Sequence, residues 1–431
     1  MIAKTKRIIA DGIKNNRKAL WDWQAAHAAA APPPFYCSID LRDAGFKIAP
    51  VDSNLFPAGF NNLCPEDARA APRHFKARVE AIAEARGIGP VKRLLILPET
   101  HTQNSFYIEN IYHLTHILTE AGFEVRLGWL GAPSADGAPA VSLLSESGKE
   151  LQAFPVRFEE GKISAGDFTP DLVVNNNDFS GGYPEALDTV IQPLVPSHRL
   201  GWHSRKKTEH FRYYNELAGE FAQLIGVDPW LVQIDTEEVG PVNFNDDIGT
   251  EAVAQAVGRV LERTRAQYEI NKISRKPFVY VKNNAGTYGM GIMVVHSVDE
   301  LHTMNRRTKN KMSVGKNRSN IESVAVQEGV PTATLVDRLP AEPVIYLCGG
   351  ELIGGFLRTN QQRSDEENLN SQGMVFRKLC MSDIQTLENP DSGDDLDDTG
   401  KAEPVLELVY GSIARLSALA TGLELKAHLA K

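Results

Sequence analysis

The sequence predicts an α/β protein, with α+β layers, that is built from more than one domain. Apolar, strand-like runs alternate with helical segments between residues 91 and 177, which favours a layer with a largely parallel sheet. The chain has 431 residues, about three times the length of a typical domain. Its hydrophobic share of 42% beside 23% charged residues is ordinary for a folded enzyme and argues against wholesale disorder.

Charge and cysteine content narrow the function class. A net charge of -9 disfavours a protein that coats nucleic acid or an anionic membrane. The sequence contains no run of about 18 apolar residues, so it predicts no membrane-spanning helix. The cysteines, none in a C-x-x-C spacing, predict neither a disulfide framework nor a zinc site; they are Cys37, Cys64, Cys348 and Cys380. We therefore expect a cytoplasmic enzyme for small molecules with no nucleic-acid or membrane partner, and homo-oligomer formation stays open.

The N-terminal part predicts a helix and then a hairpin. Residues 3 to 30 place apolar side chains among basic and amide residues, and the pattern stops at the prolines 32 to 34, which predicts an amphipathic helix. The runs FYCSIDLRD and FKIAPVDSNLF alternate in polarity and are separated by Ala44 and Gly45, which predicts a β-hairpin.

The next elements form the α/β layer. Strands are predicted for VKRLLILP, FEVRLGW and DLVVNNN, with the helix FYIENIYHLTHILTEAG after the first of them. Ligands in open α/β sheets bind beyond the carboxyl ends of strands, so the polar loops at 101 to 105 and 175 to 180 are candidate binding loops. The residues of these loops that we expect to contact the substrate are Thr102, Asn104, Asn176, Asn177 and Asp178. The alternative is a solvated turn capped by its own amides.

The C-terminal part is predicted to begin with helices from 198 to 265 around a strand-like segment, WLVQID. A strand, PFVYVKNN, then leads into a glycine-rich loop and a second apolar strand. Glycines let backbone N–H groups approach an anion, and the preceding lysine can reach phosphate oxygens. The residues assigned to a nucleotide here are Lys282, Asn284, Gly286, Gly289 and Gly291. The alternative is a plain glycine-rich hairpin.

Two other phosphate-binding motifs do not match this segment. A P-loop needs the lysine after the glycines and a helix behind it, whereas here the lysine comes first and a strand follows. A dinucleotide fingerprint lies between a strand and a helix, whereas G-T-Y-G-M-G lies between two strands.

The order strand, lysine, glycine loop and strand resembles the ATP-grasp ligases, and further segments match in the same order. RKKTEHF resembles the helix with the nucleotide-facing lysine, here Lys207 with Lys206 as the second choice. SVAVQEGVP resembles the adenine-binding hinge, and AEPVIYLCGGELIGGFLR the following strand pair with its arginine. ENLNSQG is similar to the loop near the γ-phosphate and metal. The resemblance assigns Gln327, Glu328 and Val330 to adenine, Arg358 to catalysis beside Lys282, and Asn370 to the metal.

The family's last two strands, which hold the magnesium ligands, are missing at the C-terminal end. SIDLRDAGFKIAPVDSNLFPAG at the N-terminal end has their shape, which predicts a circularly permuted ATP-grasp domain. Residues i and i+2 of a strand face one side, so Asp52 and Asn54 would reach one metal together with Asp40. The alternative is that Asp-Ser-Asn is an ordinary turn at the end of a strand.

Over nearly its full length the chain resembles the proteobacterial glutamate-cysteine ligase family, through DLR, PVDSNLFPAGFNN, ILPETHTQN and VKNNAGTYGMGI. The resemblance implies ATP- and Mg²⁺-dependent joining of L-glutamate, through an acyl phosphate, to L-cysteine, the first step of glutathione biosynthesis. It implies a hairpin region at 1–65 that completes the ATP-grasp domain, a substrate domain at 66–200 and the ATP-grasp domain at 201–431. The alternatives are another carboxylate-amine ligase of this fold and a non-catalytic nucleotide-binding regulatory module.

Overall fold

The computed structural model describes residues 2–100, 104–132, 137–285, 291–313, 321–380 and 405–429. The helices within them are α1 Ile2–Asn15, α2 Arg17–Ala30, α3 Pro65–Ala68, α4 Ala71–Arg86, α5 Ser105–Glu120, α6 Lys207–Ile225, α7 Thr250–Ile270, α8 Asp299–His302, α9 Arg306–Ser313 and α10 Ser412–Leu429, which a π-helical turn precedes at Glu407–Gly411. Short 3-10 helices occur at Phe60–Asn62, Glu185–Thr189, His198–Leu200, Pro229–Leu231 and Phe244–Asp246.

The strands within these residues are β1 Tyr36–Asp43, β2 Ile48–Asn54, β3 Arg93–Pro98, β4 Glu124–Trp129, β5 Val141–Leu144, β6 Glu150–Glu159, β7 Lys162–Ala165, β8 Leu172–Asn176, β9 Leu194–Val195, β10 Thr236–Val239, β11 Val279–Asn283, β12 Ile292–Val295, β13 Val324–Glu328, β14 Leu335–Val336, β15 Leu339–Cys348, β16 Glu351–Asn360 and β17 Met374–Leu379. They form three sheets.

The first sheet joins the two ends of the chain. Its order is β17-β16-β15-β1-β2, and all of these neighbours are antiparallel. Strand β1 of the hairpin therefore pairs with β15, although the paired residues are more than 300 positions apart, and Asp40 lies opposite Val344 on one side and Asp52 on the other. The predicted placement of the N-terminal hairpin in the sheet of the C-terminal strands is confirmed.

The second sheet is small and antiparallel, in the order β10-β13-β11-β12. Helix α7 covers one of its faces, where valines of β11 and β13 pack against Val253 and Val257. The other face is turned towards the hairpin, as the contact from Lys282 Nζ to the Val51 carbonyl shows.

The third sheet has the order β5-β6-β4-β3-β8-β9, and β3 pairs in parallel with both β4 and β8. The predicted parallel layer is therefore confirmed. Helices α4 and α5 pack over one face and share a core with the first sheet, in which Tyr36, Phe75 and Val344 lie together.

Alternation along the central strands directs their side chains to two different surroundings. Ile39 and Leu41 of β1 lie in a core formed with α6 and α10. Asp40 and Arg42 therefore face the opposite side of the sheet. At this end of the sheet that opposite face carries charged residues, and it borders the second sheet.

Two details of the element prediction are wrong. The segment WLVQID is not a strand: its first two residues belong to the 3-10 helix Pro229–Leu231, because Asp228 caps this turn by accepting from the Trp230 N–H and Pro229 fits its first position. The N-terminal helix is divided between α1 and α2 at Asn16, whose backbone leaves the helical region.

The expectation of no disulfide is also wrong for one cysteine pair. Cys64, which precedes α3, is bonded to Cys380, which follows β17. These residues are 316 positions apart, so no local spacing signals their pairing. Cys37 and Cys348 are buried free thiols. None of the helices in the described ranges is long and apolar enough to cross a membrane.

Candidate active site

Two buried lysines, one on the second sheet and one on α6, contact the N-terminal hairpin. Lys282 on β11 donates to the Val51 carbonyl at 3.0 Å and to Gln327 Oε1 at 2.7 Å. Lys207, the first residue of α6, binds Asp52 Oδ1 at 2.5 Å, and its cation lies 4.3 Å from the centre of the Trp202 ring. The structure thus places Asp52 beside both predicted phosphate-binding lysines.

The local sequence explains why Lys282 faces this cleft. Val279 and Val281 alternate with it along β11 and are buried beneath α7, so Tyr280 and Lys282 face the other side. Asn284, directly after β11, accepts from the Lys207 N–H with its carbonyl and from the Thr208 N–H with its side chain. This contact fixes the start of α6 against the end of the strand.

A charged ladder crosses the facing end of the first sheet. Arg358 Nη1 binds Asp40 Oδ2 at 2.7 Å and Glu342 Oε1 at 2.8 Å. Glu342 Oε2 accepts from Arg42 Nε at 2.8 Å. All four side chains are buried. Asp40 Oδ1 is buried and has no hydrogen-bond partner among the described residues, so this oxygen could still accept a cation.

The two predicted carboxylate ligands of the metal, Asp40 and Asp52, have pKa values that are shifted in opposite directions. Burial raises the pKa of Asp40, and Arg358 offsets only part of this effect. Burial also opposes the charge of Asp52, but Lys207 and Lys282 hold the pKa of that carboxyl below its usual value. A further cation in the cleft would favour the charged form of both.

The pKa values of the cationic side chains Lys282 and Arg358 are also shifted by burial and by the neighbouring carboxylates. Burial lowers the pKa of Lys282 to about 7, although Asp52 acts in the opposite direction. Burial also opposes the charge of Arg358, but Asp40 and Glu342 keep the pKa of its guanidinium above the usual value. Arg358 is therefore a permanent positive charge, whereas the charge of Lys282 depends on pH.

The loop between β16 and β17 closes over Arg42. Arg42 Nη1 and Nη2 donate to the carbonyls of Asp365 and Glu367 at 2.8 Å and 2.7 Å, and Tyr280 Oη donates to the Glu366 carbonyl at 2.6 Å. Asn370 lies in this loop, where its backbone N–H donates to Asn368 Oδ1. No described hydrogen bond joins Asn370 to Asp40 or Asp52.

The predicted adenine-binding residues lie at the end of β13. Gln327 faces Lys282 in the cleft. The Glu328 side chain turns to the other face of the sheet, where Oε2 binds Lys47 Nζ at 2.6 Å beside a pocket of about 420 Å³. Val330 is buried in the core shared with α6 and α10. The side chains of Glu328 and Val330 therefore do not face the cleft, and the contact of this segment with adenine stays a prediction.

The glycine loop is only partly described. Gly286 and Gly289 lie outside the described residues. Gly291 adopts a positive φ of 63°, and a Cβ at this position would approach Ile321 Cδ1 to 2.8 Å. A larger residue would therefore be strained at this position.

The residues predicted to contact substrate are mostly held by the protein itself. Asn176 Nδ2 donates to Tyr36 Oη and to the Pro57 carbonyl, both at 3.0 Å. Asn177 Nδ2 donates to the Pro98 carbonyl, and Asp178 Oδ1 accepts from the Ser180 N–H. Asn104 caps α5, and Thr102 lies outside the described residues. These amides brace the junction of the first and third sheets, and their contact with a substrate stays a prediction.

Sequence reasoning missed several buried charged residues, which include Arg42, Arg205 and Glu424. Arg42 belongs to the DLR run, in which only the aspartate received a role. Arg42 and Glu342 are 300 positions apart and Arg205 and Glu424 are 219 apart, so a local motif could not reveal either pair. A charged residue inside an otherwise apolar strand pattern was the available signal, because an unpaired charge is rarely buried.

The fold and the site define a mixed α/β enzyme with paired lysines, arginines and carboxylates in a cleft between two antiparallel sheets. The glutamate-cysteine ligase family matches residues 11–425. The chain therefore belongs to the glutamate-cysteine ligase family, and it is a ligase.

Solved structures agree with this assignment to different degrees. A protein of Methylobacillus flagellatus KT, provisionally described as a gamma-glutamylcysteine synthetase, is 36% identical over 99% of this chain and 96% of that chain, with a TM-score of 0.84. A glutathione synthetase-like effector of Globodera pallida (10% identity, covering 88% and 85%, TM-score 0.36) and a D-alanyl-alanine synthetase A of Vibrio cholerae (12%, 78% and 81%, 0.33) are too distant to carry an argument. A comparison with curated proteins finds no match.

Proposed function

We propose that this ligase joins the γ-carboxylate of L-glutamate to the amine of L-cysteine at the expense of ATP, on a permuted ATP-grasp fold. One observation carries the proposal: the N-terminal hairpin brings Asp40 and Asp52 into the same buried cleft as Lys207, Lys282 and Arg358. Cations that can hold phosphates and oxygen ligands that can hold a metal thereby lie together, although they come from opposite ends of the chain.

The first chemical step is phosphoryl transfer. A carboxylate oxygen of glutamate attacks the γ-phosphorus, the bond to the ADP oxygen breaks, and ADP leaves with its electron pair. The developing charge lies on phosphate oxygens, so fixed cations in a buried cleft stabilise it most effectively. Lys207 and Lys282 would hold the phosphates, and Arg358 would face the transferring group. The ladder through Glu342 to Arg42 keeps Arg358 oriented.

Asp40, Asp52 and Asn54 would hold magnesium. The fit rests on the oxygen chemistry of this set, which suits a hard cation, and on the free Oδ1 atom of Asp40. Bound magnesium would neutralise charge on the phosphate oxygens. Asn370 stays a fourth proposed ligand from the loop that Arg42 holds.

The second step is attack by the cysteine amine on the acyl phosphate carbon, which releases inorganic phosphate and forms the amide after the amine loses a proton. No covalent bond to the enzyme is needed. The loops at 101 to 105 and 175 to 180 stay the proposed amino-acid contacts, within a proposed substrate domain at 66–200. A cytoplasmic location and homo-oligomer formation also stay predictions from sequence.

The test is a coupled assay of ADP release with purified protein. ADP and phosphate should form only when L-glutamate, L-cysteine, ATP and Mg²⁺ are all present, and mass spectrometry should identify γ-glutamylcysteine as the product. L-serine replaces cysteine as the matched control without a thiol. Equal ADP release without any amine would contradict the ligation, and turnover with another amine alone would leave the fold intact but assign a different specificity.

A further inference from the structure

A second buried charged cluster lies on the opposite side of strand β2 from the cleft. Its central pair is Arg205 and Glu424, with Nε to Oε1 at 3.1 Å and Nη2 to Oε2 at 2.8 Å. His210 Nδ1 lies 2.7 Å from Glu424 Oε2, and His210 Nε2 lies 2.9 Å from Ser417 Oγ. The side chains of Arg205, His210 and Glu424 are at most 3% exposed. None of these residues has a role in the chemistry described above.

Arg205 of this cluster is hydrogen-bonded to strand β2, which carries two of the proposed metal ligands. Arg205 Nη1 donates to the Ser53 carbonyl at 2.5 Å, and Nη2 lies 3.3 Å from Ser53 Oγ. Ser53 is the residue between Asp52 and Asn54. Because side chains alternate along a strand, Ser53 faces α6 and α10 while Asp52 and Asn54 face the cleft. The arginine thus holds the backbone at the centre of the Asp-x-Asn segment without touching the cleft.

Glu424 orients the guanidinium group of Arg205. A bidentate arginine–carboxylate pair fixes the plane of the guanidinium, and His210 holds the carboxylate from its other side. Glu424 belongs to α10, the last helix in the described chain. A helix from the C-terminal part of the described chain therefore fixes a strand from its N-terminal part.

We propose that Arg205 and Glu424 are positioning residues that set the metal affinity of the nucleotide site by fixing the Asp52–Asn54 backbone. This proposal rests on the proposed function, since it concerns the metal ligands named there. Partners behind the ligands of a metal site typically change its metal affinity by about 10- to 100-fold when they are removed. The metal-dependent part of nucleotide binding should therefore weaken, whereas contacts of the lysines with phosphate should persist.

The test measures ADP binding by calorimetry in the presence of Mg²⁺ and in the presence of a chelator, in the full chain. Glu424→Gln should reduce the gain in ADP affinity that Mg²⁺ provides by about tenfold and leave the metal-free affinity close to that of the wild type. The matched control is Glu216→Gln on α6, whose side chain is 57% exposed; it should bind as the wild type does. The KM values for glutamate and cysteine should also stay unchanged in Glu424→Gln.

Arg205→Lys provides a second variant if Glu424→Gln does not fold, as judged by circular dichroism. It keeps the buried positive charge but loses the planar fork, so it should also lower the gain that Mg²⁺ provides. An unchanged gain in a folded variant, or an equal loss with and without metal, would overturn the positioning role. If the wild type shows no metal-dependent ADP binding at all, the proposed function fails as well, and the two failures are thereby distinguished.

Discussion

The charge of Lys282 depends on the occupant of the cleft. Burial lowers the pKa of its amine to about 7, so near pH 8 this amine is largely neutral when no phosphate is bound beside it. Phosphate oxygens placed beside it favour the ammonium form and raise this pKa. Nucleotide binding above pH 7 is therefore coupled to the uptake of a proton, and the protein binds most tightly where the lysine is already charged.

This coupling predicts the pH dependence of nucleotide binding. ADP affinity should fall as the pH rises from about 6 to about 9, and calorimetry in buffers of different ionisation enthalpy should show proton uptake near pH 8. Lys282→Met should abolish the uptake and lower kcat/KM for ATP by about 10- to 100-fold. Lys18→Met, at a site with 88% of the side chain exposed, is the matched control. Unchanged kinetics in a folded Lys282→Met variant would show that this lysine does not contact phosphate.

Asp52 provides the corresponding prediction for the metal. Asp52→Asn keeps the size of the side chain but removes its charge, so it weakens a hard oxygen ligand and leaves Lys207 without its anion. The Mg²⁺ concentration for half-maximal velocity should rise by about tenfold or more, while the KM for glutamate changes little. Asp22→Asn, which alters an exposed pair with Lys18, should leave both values unchanged. If Asp52→Asn weakened only glutamate binding, Asp52 would be a substrate-binding residue and not a metal ligand.

At this scale the sequence predicted the residues with a local signature. Lys282 stood before a glycine loop, and Asp52 and Asn54 shared one face of a strand. Arg42, Arg205 and Glu424 had no such signature, because each pairs with a residue more than 200 positions away. The directions of the Asn176 and Asn177 side chains were equally hidden, since they depend on how the first and third sheets meet.

Secondary structure elements were predictable where periodicity and turn residues agreed. The hairpin β1–β2 has alternating polarity on both sides of a Gly45 turn, in which that glycine adopts a φ of 80°. The strand prediction for WLVQID is wrong because a short apolar run does not have a periodicity that distinguishes a strand from other structures. The proline before this segment starts a 3-10 turn instead. Pairing between elements was predictable only through the resemblance, because periodicity contains no information about which strands become neighbours.

The Cys64–Cys380 bond connects the segment before α3 to the end of β17, an edge strand. We expect two of the four cysteines to resist alkylation in denaturant until a reductant is added. Loss of a disulfide typically destabilises the folded state by about 2 to 4 kcal/mol. Cys380→Ser should therefore lower the free energy of unfolding by that amount under non-reducing conditions.

The control for this prediction is Cys37→Ala, which alters a buried free thiol and should leave the alkylation pattern of the Cys64–Cys380 pair unchanged. Complete alkylation of the denatured wild type without reductant would show that the bond does not form in solution. The same stability for wild type and Cys380→Ser in the presence of reductant would confirm that the bond itself causes the difference.

At the scale of the whole molecule, the cleft is assembled from both ends of the chain. Strand β1 lies inside the first sheet between β2 and β15, and α1 and α2 pack on the core that α6 and α10 form. Deletion of the hairpin would remove the proposed metal ligands and also expose the edge of β15. Folding and nucleotide binding therefore depend on contacts of very large sequence separation, which usually form slowly.

This arrangement predicts where a bound nucleotide protects the backbone. If ADP and Mg²⁺ lie between the second sheet and the hairpin, hydrogen exchange should slow together in peptides that cover β2 at Ile48–Asn54 and β11 at Val279–Asn283. Strand β7 at Lys162–Ala165 belongs to the third sheet and should exchange at the same rate with and without ligand. With ADP and a chelator, protection of β11 should persist because Lys282 still contacts phosphate, whereas protection of β2 should decrease because its metal-dependent contacts are lost. Protection of β11 alone under both conditions would mean that the nucleotide does not reach the hairpin, and the ligands for magnesium would then have to come from Glu342 and the loop that contains Asn370.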